Sequence, residues 1–171
     1  SDLPSMQTGT IWQGGMDLIE VKQLVKKYGD HLAVDHLDFQ IKPGMVYGFL
    51  GPNGAGKSTT MNIMTGCMGA TQGEVLINGY DILKEPEKAK RYIGYLPEHP
   101  PLYMDMTVRE YLDFAAELKG IRKSQRREAV DEAEKMVKVQ DVEHRLIRNL
   151  SKGYRQRVGL AQAILGFPDM I

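Results

Sequence analysis

Apolar and polar residues alternate in some stretches of this chain and cluster in others, and the contrast predicts its elements. Residues 18–25 are strand-like, and Leu37-Asp38-Phe39-Gln40-Ile41-Lys42 alternates with period two, the mark of a half-buried strand. Pro43-Gly44 turns the chain into Met45-Val46-Tyr47-Gly48-Phe49-Leu50, an apolar run without alternation that predicts a strand buried on both faces of a parallel sheet. Residues 58–65 predict a helix ending near Gly66. Glu74-Val75-Leu76-Ile77 reads as a strand closed by Asn78-Gly79, a hairpin turn signal. A short helix is predicted over residues 86–91, and Ile93-Gly94-Tyr95-Leu96 reads as a further buried strand.

Beyond Pro97 the pattern becomes helical. Thr107-Val108-Arg109-Glu110 is a capping-box sequence, followed by a stripe of Tyr111, Leu112, Ala115 and Leu118 that stops at Gly120. Ser124 is the predicted cap of a second helix with Val130, Ala133, Met136 and Val137 inward. Arg126, Arg127, Glu128, Asp131, Glu132, Glu134, Lys135 and Lys138 are expected to face water. A third helix carries Val158 to Leu165 and stops at Gly166-Phe167-Pro168, with Ser151 as its cap and Leu150 as a hydrophobic staple.

Composition narrows the setting. The 171 residues suffice for one domain with a substantial core. Lys+Arg and Asp+Glu are equal at 22 each, so no overall positive field draws in nucleic acid, and none is expected as a partner. The single cysteine, Cys67, cannot close an internal disulfide, fits a reducing compartment and is expected to be a small core residue. No window reaches the roughly 20 apolar residues that a membrane span needs, so membrane association would come through a partner. His31, His36, His99 and His144 have no metal-ligand spacing. Residues 1–15 read as a tag or a disordered extension.

The chemistry lies between the run at residues 45–50 and the helix after it. Gly51-Pro52-Asn53-Gly54-Ala55-Gly56-Lys57-Ser58-Thr59 has the spacing of a phosphate-binding loop, in the strand-loop-helix context that such a loop requires. Glycines at 51, 54 and 56 let the backbone take positive φ and aim N–H groups at phosphate oxygens, aided by the helix dipole. Lys57 is placed to pair with β- and γ-phosphates, Ser58 to ligate a bridging magnesium ion, and Thr59 to donate near the α-phosphate. Tyr28, beside Gly29, is either a surface tyrosine or an aromatic that stacks on a base. Glu98 follows a strand end, where ligand-facing residues emerge in open α/β sheets. The N-terminus at Ser151, with Gly153 beside it, is either a plain capped helix or an anion site.

Leu150-Ser151-Lys152-Gly153-Tyr154-Arg155-Gln156-Arg157, at its separation from the phosphate loop, resembles the Leu-Ser-Gly-Gly-Gln signature of the ATP-binding subunits or domains of ABC transporters. The resemblance covers residues 16–171 and implies an α/β fold: a P-loop NTPase core with an N-terminal antiparallel β subdomain and a helical, signature-bearing subdomain. On this view residues 16–97 form the nucleotide-binding core and 98–150 a mainly helical subdomain. Residues 151–171 then hold the signature helix and the start of the next strand. It implies ATP and Mg2+ as cofactors, Tyr28 as the adenine-stacking aromatic, and Gly51 to Thr59 as the triphosphate cradle. Ser151 and Gly153 would reach the γ-phosphate held by a second ATP-binding subunit in a head-to-tail dimer. The other implied partner is a transmembrane permease subunit or domain, with the chain peripheral to the inner face of the cell membrane; residues 98–106 are the expected contact.

Two departures stand out against that pattern. Glu98 occupies the position of the family's glutamine, which touches magnesium and the attacking water, so it is carried over as a catalytic and metal-ligand candidate beside Lys57. Lys152 and Tyr154 replace the signature's Gly and Gln. The family's next strand ends in an Asp-Glu pair that these 171 residues lack. The C-terminal part of the core is accordingly expected to be missing, and this piece to bind nucleotide weakly without turning it over. The alternative within the same chemistry is a soluble ABC-type ATPase acting on ribosomes or DNA, for which long coiled-coil insertions or basic stretches would speak.

Overall fold

A computed structural model describes residues 17–171, and the expectation for residues 1–15 lies outside them. Strands β1 (Ile19–Tyr28), β2 (His31–Ile41), β3 (Gln72–Ile77) and β4 (Tyr80–Asp81) form an antiparallel sheet in the order β2-β1-β3-β4. The alternation read at residues 37–41 holds, with Ile41 buried, Leu37 and Phe39 half-buried and their polar neighbours outside. Asn78 and Gly79 turn β3 into β4 with φ of 48° and 82°, the left-handed pair that a two-residue hairpin requires. Helix α1 (Lys57–Met64) lays Ile63 and Met64 on the sheet residues Ile19, Leu24, Val75 and Ile77, forming one hydrophobic cluster. A short helix, α2 (Pro86–Ala89), and the tight turn Lys90–Tyr92 follow the hairpin.

The apolar run at residues 45–50 is not the buried strand that its sequence predicts. Met45, Val46 and Leu50 are 66%, 101% and 90% exposed, and the run ladders with no strand among the described residues. Hydrophobicity prepares a segment for a sheet, but a strand exists only where a neighbour takes its backbone hydrogen bonds. Its anchors are side chains: Phe49 packs edge-on to Phe39 at 5.3 Å, and the Tyr47 hydroxyl accepts from the Lys42 N–H at 3.1 Å. Residues 93–96 are likewise extended rather than laddered. Ile93 makes a parallel bridge with Met170, where the Gly94 N–H donates to the Met170 carbonyl at 2.7 Å and the Met170 N–H to Tyr92 at 3.1 Å.

A second hydrophobic cluster is helical: α3 (Val108–Leu118), α4 (Lys123–Val137) and α5 (Lys152–Ile164). The Thr107 box closes as read, its side chain accepting from Glu110 N–H and Glu110 reaching back to Thr107 N–H at 2.8 Å. The second cap differs: α4 starts at Lys123 with Arg122 before it and no side-chain cap, so Ser124 lies inside the first turn. Leu118, the last residue of α3, stands past the packed stripe at 71% exposure. The inward face of α4 runs Val130, Ala133, Glu134, Val137, which turns Met136 out to solvent.

Glu134, expected in water, is therefore buried, and Arg109 is the reason. The guanidinium pairs with Asp131 and lies 3.4 Å from Glu134, 3.6 Å from Asp113 and 3.9 Å from Glu143. One cation shared among four acids is short of charge, and Glu134 Oε1 has no hydrogen-bond partner. Burial pushes the Glu134 carboxyl up to about 7 despite Arg109, with Glu143 and Asp131 adding to the rise. The folded chain thus keeps a proton that an unfolded glutamate, with its ordinary value of 4.5, has already released. The native state binds more protons in that window, so stability falls as pH rises from 4.5 toward about 7. Glu134→Gln, whose amide does not titrate, should flatten this fall in thermal melts recorded across the window.

Candidate functional site

The loop predicted to cradle phosphate is built against the first hairpin. Gly54 and Gly56 have φ of 84° and 83°, which side-chain-bearing residues rarely adopt. A Cβ on Gly56 would collide with the Ala33 carbonyl oxygen and press on the Val34 side chain, so the loop backbone sits directly on β2. Ala55 N–H donates to the Pro52 carbonyl at 3.2 Å, closing the turn, and Thr60 N–H donates to Gly56 at 2.8 Å, the first bond of α1. The N–H groups of Lys57, Ser58 and Thr59 form the opening turn of α1 and have no intrahelical acceptor. Helix α1 has no acidic residue in that turn and no side-chain cap.

Lys57 folds back over this turn. Its ammonium donates to the Gly51 carbonyl at 2.6 Å and to Pro52 at 2.7 Å, which keeps the charge at the mouth of the loop. An ammonium has a third proton to give. Pro52, Asn53, Gly54 and Ala55 are exposed, as is Ser58, so the concave side of the loop is open.

Tyr28 ends β1 opposite His31, two residues along β2 from Ala33, which places it on the hairpin that supports the loop. Its hydroxyl donates to Met68 Sδ at 2.9 Å, Lys26 Nζ lies 5.3 Å from the ring centroid, and the residue remains 45% exposed. Cys67, expected in the core, is exposed: Gly66 at φ 68° breaks the line of α1, and the next residue turns outward.

Ser151 and Gly153 are exposed at the N-terminal end of α5, a helix of the other hydrophobic cluster, and share no hydrogen bond with the loop among the described residues. Ser151 caps α5 as expected, accepting from Tyr154 N–H at 3.3 Å above a buried Leu150. Tyr154 donates its hydroxyl to Asp141 at 2.8 Å and lies under the Arg157 guanidinium, 5.4 Å away. The far end of α5 is held by Lys119, whose ammonium donates to the Ala163 and Leu165 carbonyls at 2.8 and 3.0 Å. Burial pulls Lys119 down to about 8. Glu98 is exposed, and what the structure fixes there is its backbone, the carbonyl accepting from Gln156 Nε2 at 2.9 Å. The sequence reading gave no role to Lys119, Asp141 or Gln156. Gly159 was the available signal, since a glycine inside a helix costs about 1 kcal/mol and calls for a packing reason.

A glycine loop seated on a β hairpin, feeding an uncapped helix, beside a helical layer with a serine-capped helix, defines an ATP-binding-cassette type of P-loop protein. The family model described as ABC transporter matches residues 34–171, and the chain belongs to that family. It is 38% identical over 154 residues to the bacitracin transport ATP-binding protein BcrA of Bacillus licheniformis, covering 90% of this chain and 49% of BcrA. It is 35% identical over 157 residues to the probable multidrug ABC transporter ATP-binding protein YbhF of Escherichia coli strain K12, covering 92% of this chain and 27% of YbhF. The dimeric structure of MJ0796, a bacterial ABC transporter cassette, superposes with a TM-score of 0.77 at 28% identity over 88% of this chain and 70% of that one. The chain thus spans half or less of the length of these curated relatives.

Gly56→Ala combines strained φ with a backbone collision. It should lower stability by about 2 kcal/mol or more, read as a shifted midpoint in urea melts with unchanged slope.

Proposed function

We propose that this chain is the ATP-binding motor part of an ABC transporter, binding ATP with magnesium and coupling that binding and its hydrolysis to transport across a membrane. The observation that carries the reading is the loop: amides and the Lys57 ammonium converge on one open cradle, and a side chain at Gly56 would break its seat on β2. The fit to a triphosphate is chemical as well as steric. Phosphate oxygens need several donors and no nearby acid, and the opening turn of α1 meets both conditions. Ser58, in that same turn and exposed, would hold magnesium, and Tyr28 on the supporting hairpin would stack on the base. Magnesium, when bound, supplies charge neutralisation between the β- and γ-phosphates.

Ser151 and Gly153 stand apart from their own chain's loop, which supports a role toward a nucleotide held by a second ATP-binding subunit in a head-to-tail dimer. That a related cassette is described as dimeric supports the same arrangement. The transmembrane permease would dock along residues 98–106. There, Tyr103 and Met104 are 52% and 39% exposed, and the Tyr103 ring packs edge-on against Tyr111 at 6.0 Å. None of the helices among the described residues is long and apolar enough to cross a membrane, in keeping with a chain held at the cytoplasmic face by that permease. The equal numbers of basic and acidic residues give no attraction for nucleic acid.

Turnover needs a base for the attacking water, and general-base assistance is worth roughly 10² to 10⁴ in rate. Among the described residues no carboxylate hydrogen-bonds into the loop, and Glu98 is the acid this reading places at the metal. These 171 residues are therefore expected to leave bound nucleotide intact and to hold it weakly.

The test is calorimetry with MgATP on the full-length protein. Lys57→Ala should weaken uptake by roughly a hundredfold, as loss of a charged donor to phosphate implies. Equal affinity in the two proteins would overturn the assignment.

A further inference from the structure

One face of α5 is joined to the chain ahead of the helical layer at three successive points. Gly94 lies so close to α5 that a Cβ there would strike the Ala163 carbonyl. A Cβ on Gly159 would come within 2.7 Å of Pro100 Cγ and 2.9 Å of Leu96 Cδ1. The Gln156 side-chain amide donates to the Glu98 carbonyl at 2.9 Å. Residues 156, 159 and 163 are spaced i, i+3, i+7 and share one helix face, and their partners all fall within residues 94–100.

The two glycines set the depth and register of this contact, and Gln156 supplies its directional bond. Gln156 is also the point of the seam nearest the serine-capped end of α5 that carries Ser151 and Gly153. From these contacts we infer that Gln156 is a positioning residue that makes the Glu98 turn follow the signature end of α5. A phosphate engaging Ser151 and Gly153 would bias the position of α5, and the backbone of Glu98 would move with it. The inference rests on the nucleotide reading above and adds the route by which one element reports to the other.

The test uses the full-length protein with its native cysteines replaced, Cys67→Ser among them, and a fluorophore attached through His99→Cys, next to Glu98. Addition of MgATP should shift the fluorescence. In Gln156→Met, which keeps the length and removes the donor, the shift should fall roughly two- to tenfold, the span of one hydrogen bond, with nucleotide affinity by calorimetry held within about twofold. Gly159→Ala, a wedge against Pro100, should reduce the shift independently. A full shift in both variants with nucleotide bound overturns the inference, as does a lowered melting temperature accompanied by a full shift, which would mark the bond as merely structural. No shift in the parent protein that binds nucleotide also overturns it. Absence of nucleotide binding in that parent overturns the nucleotide reading and this inference together.

Discussion

Backbone meeting backbone without an intervening side chain is the constraint on which this structure rests. At Gly56 the contact seats the phosphate loop on β2, and at Gly94 the chain beyond the sheet lies directly against α5. A cradle that binds by main-chain N–H groups has no long side chains with which to adjust, so its donors must be placed by the fold beneath them. The sheet provides that support through Ala33 and Val34, and the buried face of α1 fixes the helix whose first turn completes the cradle. Lys57 is the one flexible donor, and even it is tethered by two loop carbonyls.

The parts of this arrangement that were legible in the sequence are those set by local chemistry. Spacing alone located the glycine loop, the Asn78-Gly79 hairpin, the Thr107 box and the Ser151 cap, because each is a short-range demand for particular backbone angles or a nearby acceptor. What the sequence concealed were relations between distant segments. Glu134 resembles any other charged residue on a solvated helix until Arg109, 25 residues earlier, is known to lie beside it. Gln156 looked like one polar position in a motif until Glu98, 58 residues earlier, supplied the acceptor. Residues 45–50 failed in the opposite direction: their composition prescribes a buried strand, yet burial depends on neighbours that the local pattern cannot name.

The two hydrophobic clusters divide the chemistry in a way that follows from their composition. The sheet and α1 are pinned by β-branched and long aliphatic residues, among them Ile19, Val21, Val75 and Ile77, and they carry the loop, where misplacement would cost most. The helical cluster is richer in alanine and has an under-compensated ionic centre at Arg109 and Glu134, so part of its packing is polar and dependent on protonation. Helix α5 belongs to this second cluster yet touches the chain leading out of the first. It is therefore the element through which a change in one layer can be felt by the other.

The helix ends differ in what surrounds their first turns. Helix α3, which faces no proposed ligand, places Glu110 in its first turn, where a carboxylate is stabilised by the positive end of the helix and completes the capping box. Helices α1 and α5 omit that acid, and so does α4, which shows that the omission alone does not mark a phosphate site. The distinguishing feature is what stands beside the bare turn. At α1 it is a left-handed glycine with a lysine folded over the opening, and at α5 a serine cap with an exposed glycine two residues on. At α4 it is only Arg122 and Lys123 in extended solvent contact. A carboxylate added to α1 or α5 would gain the dipole interaction available to Glu110, but it would occupy the field that an incoming phosphate needs.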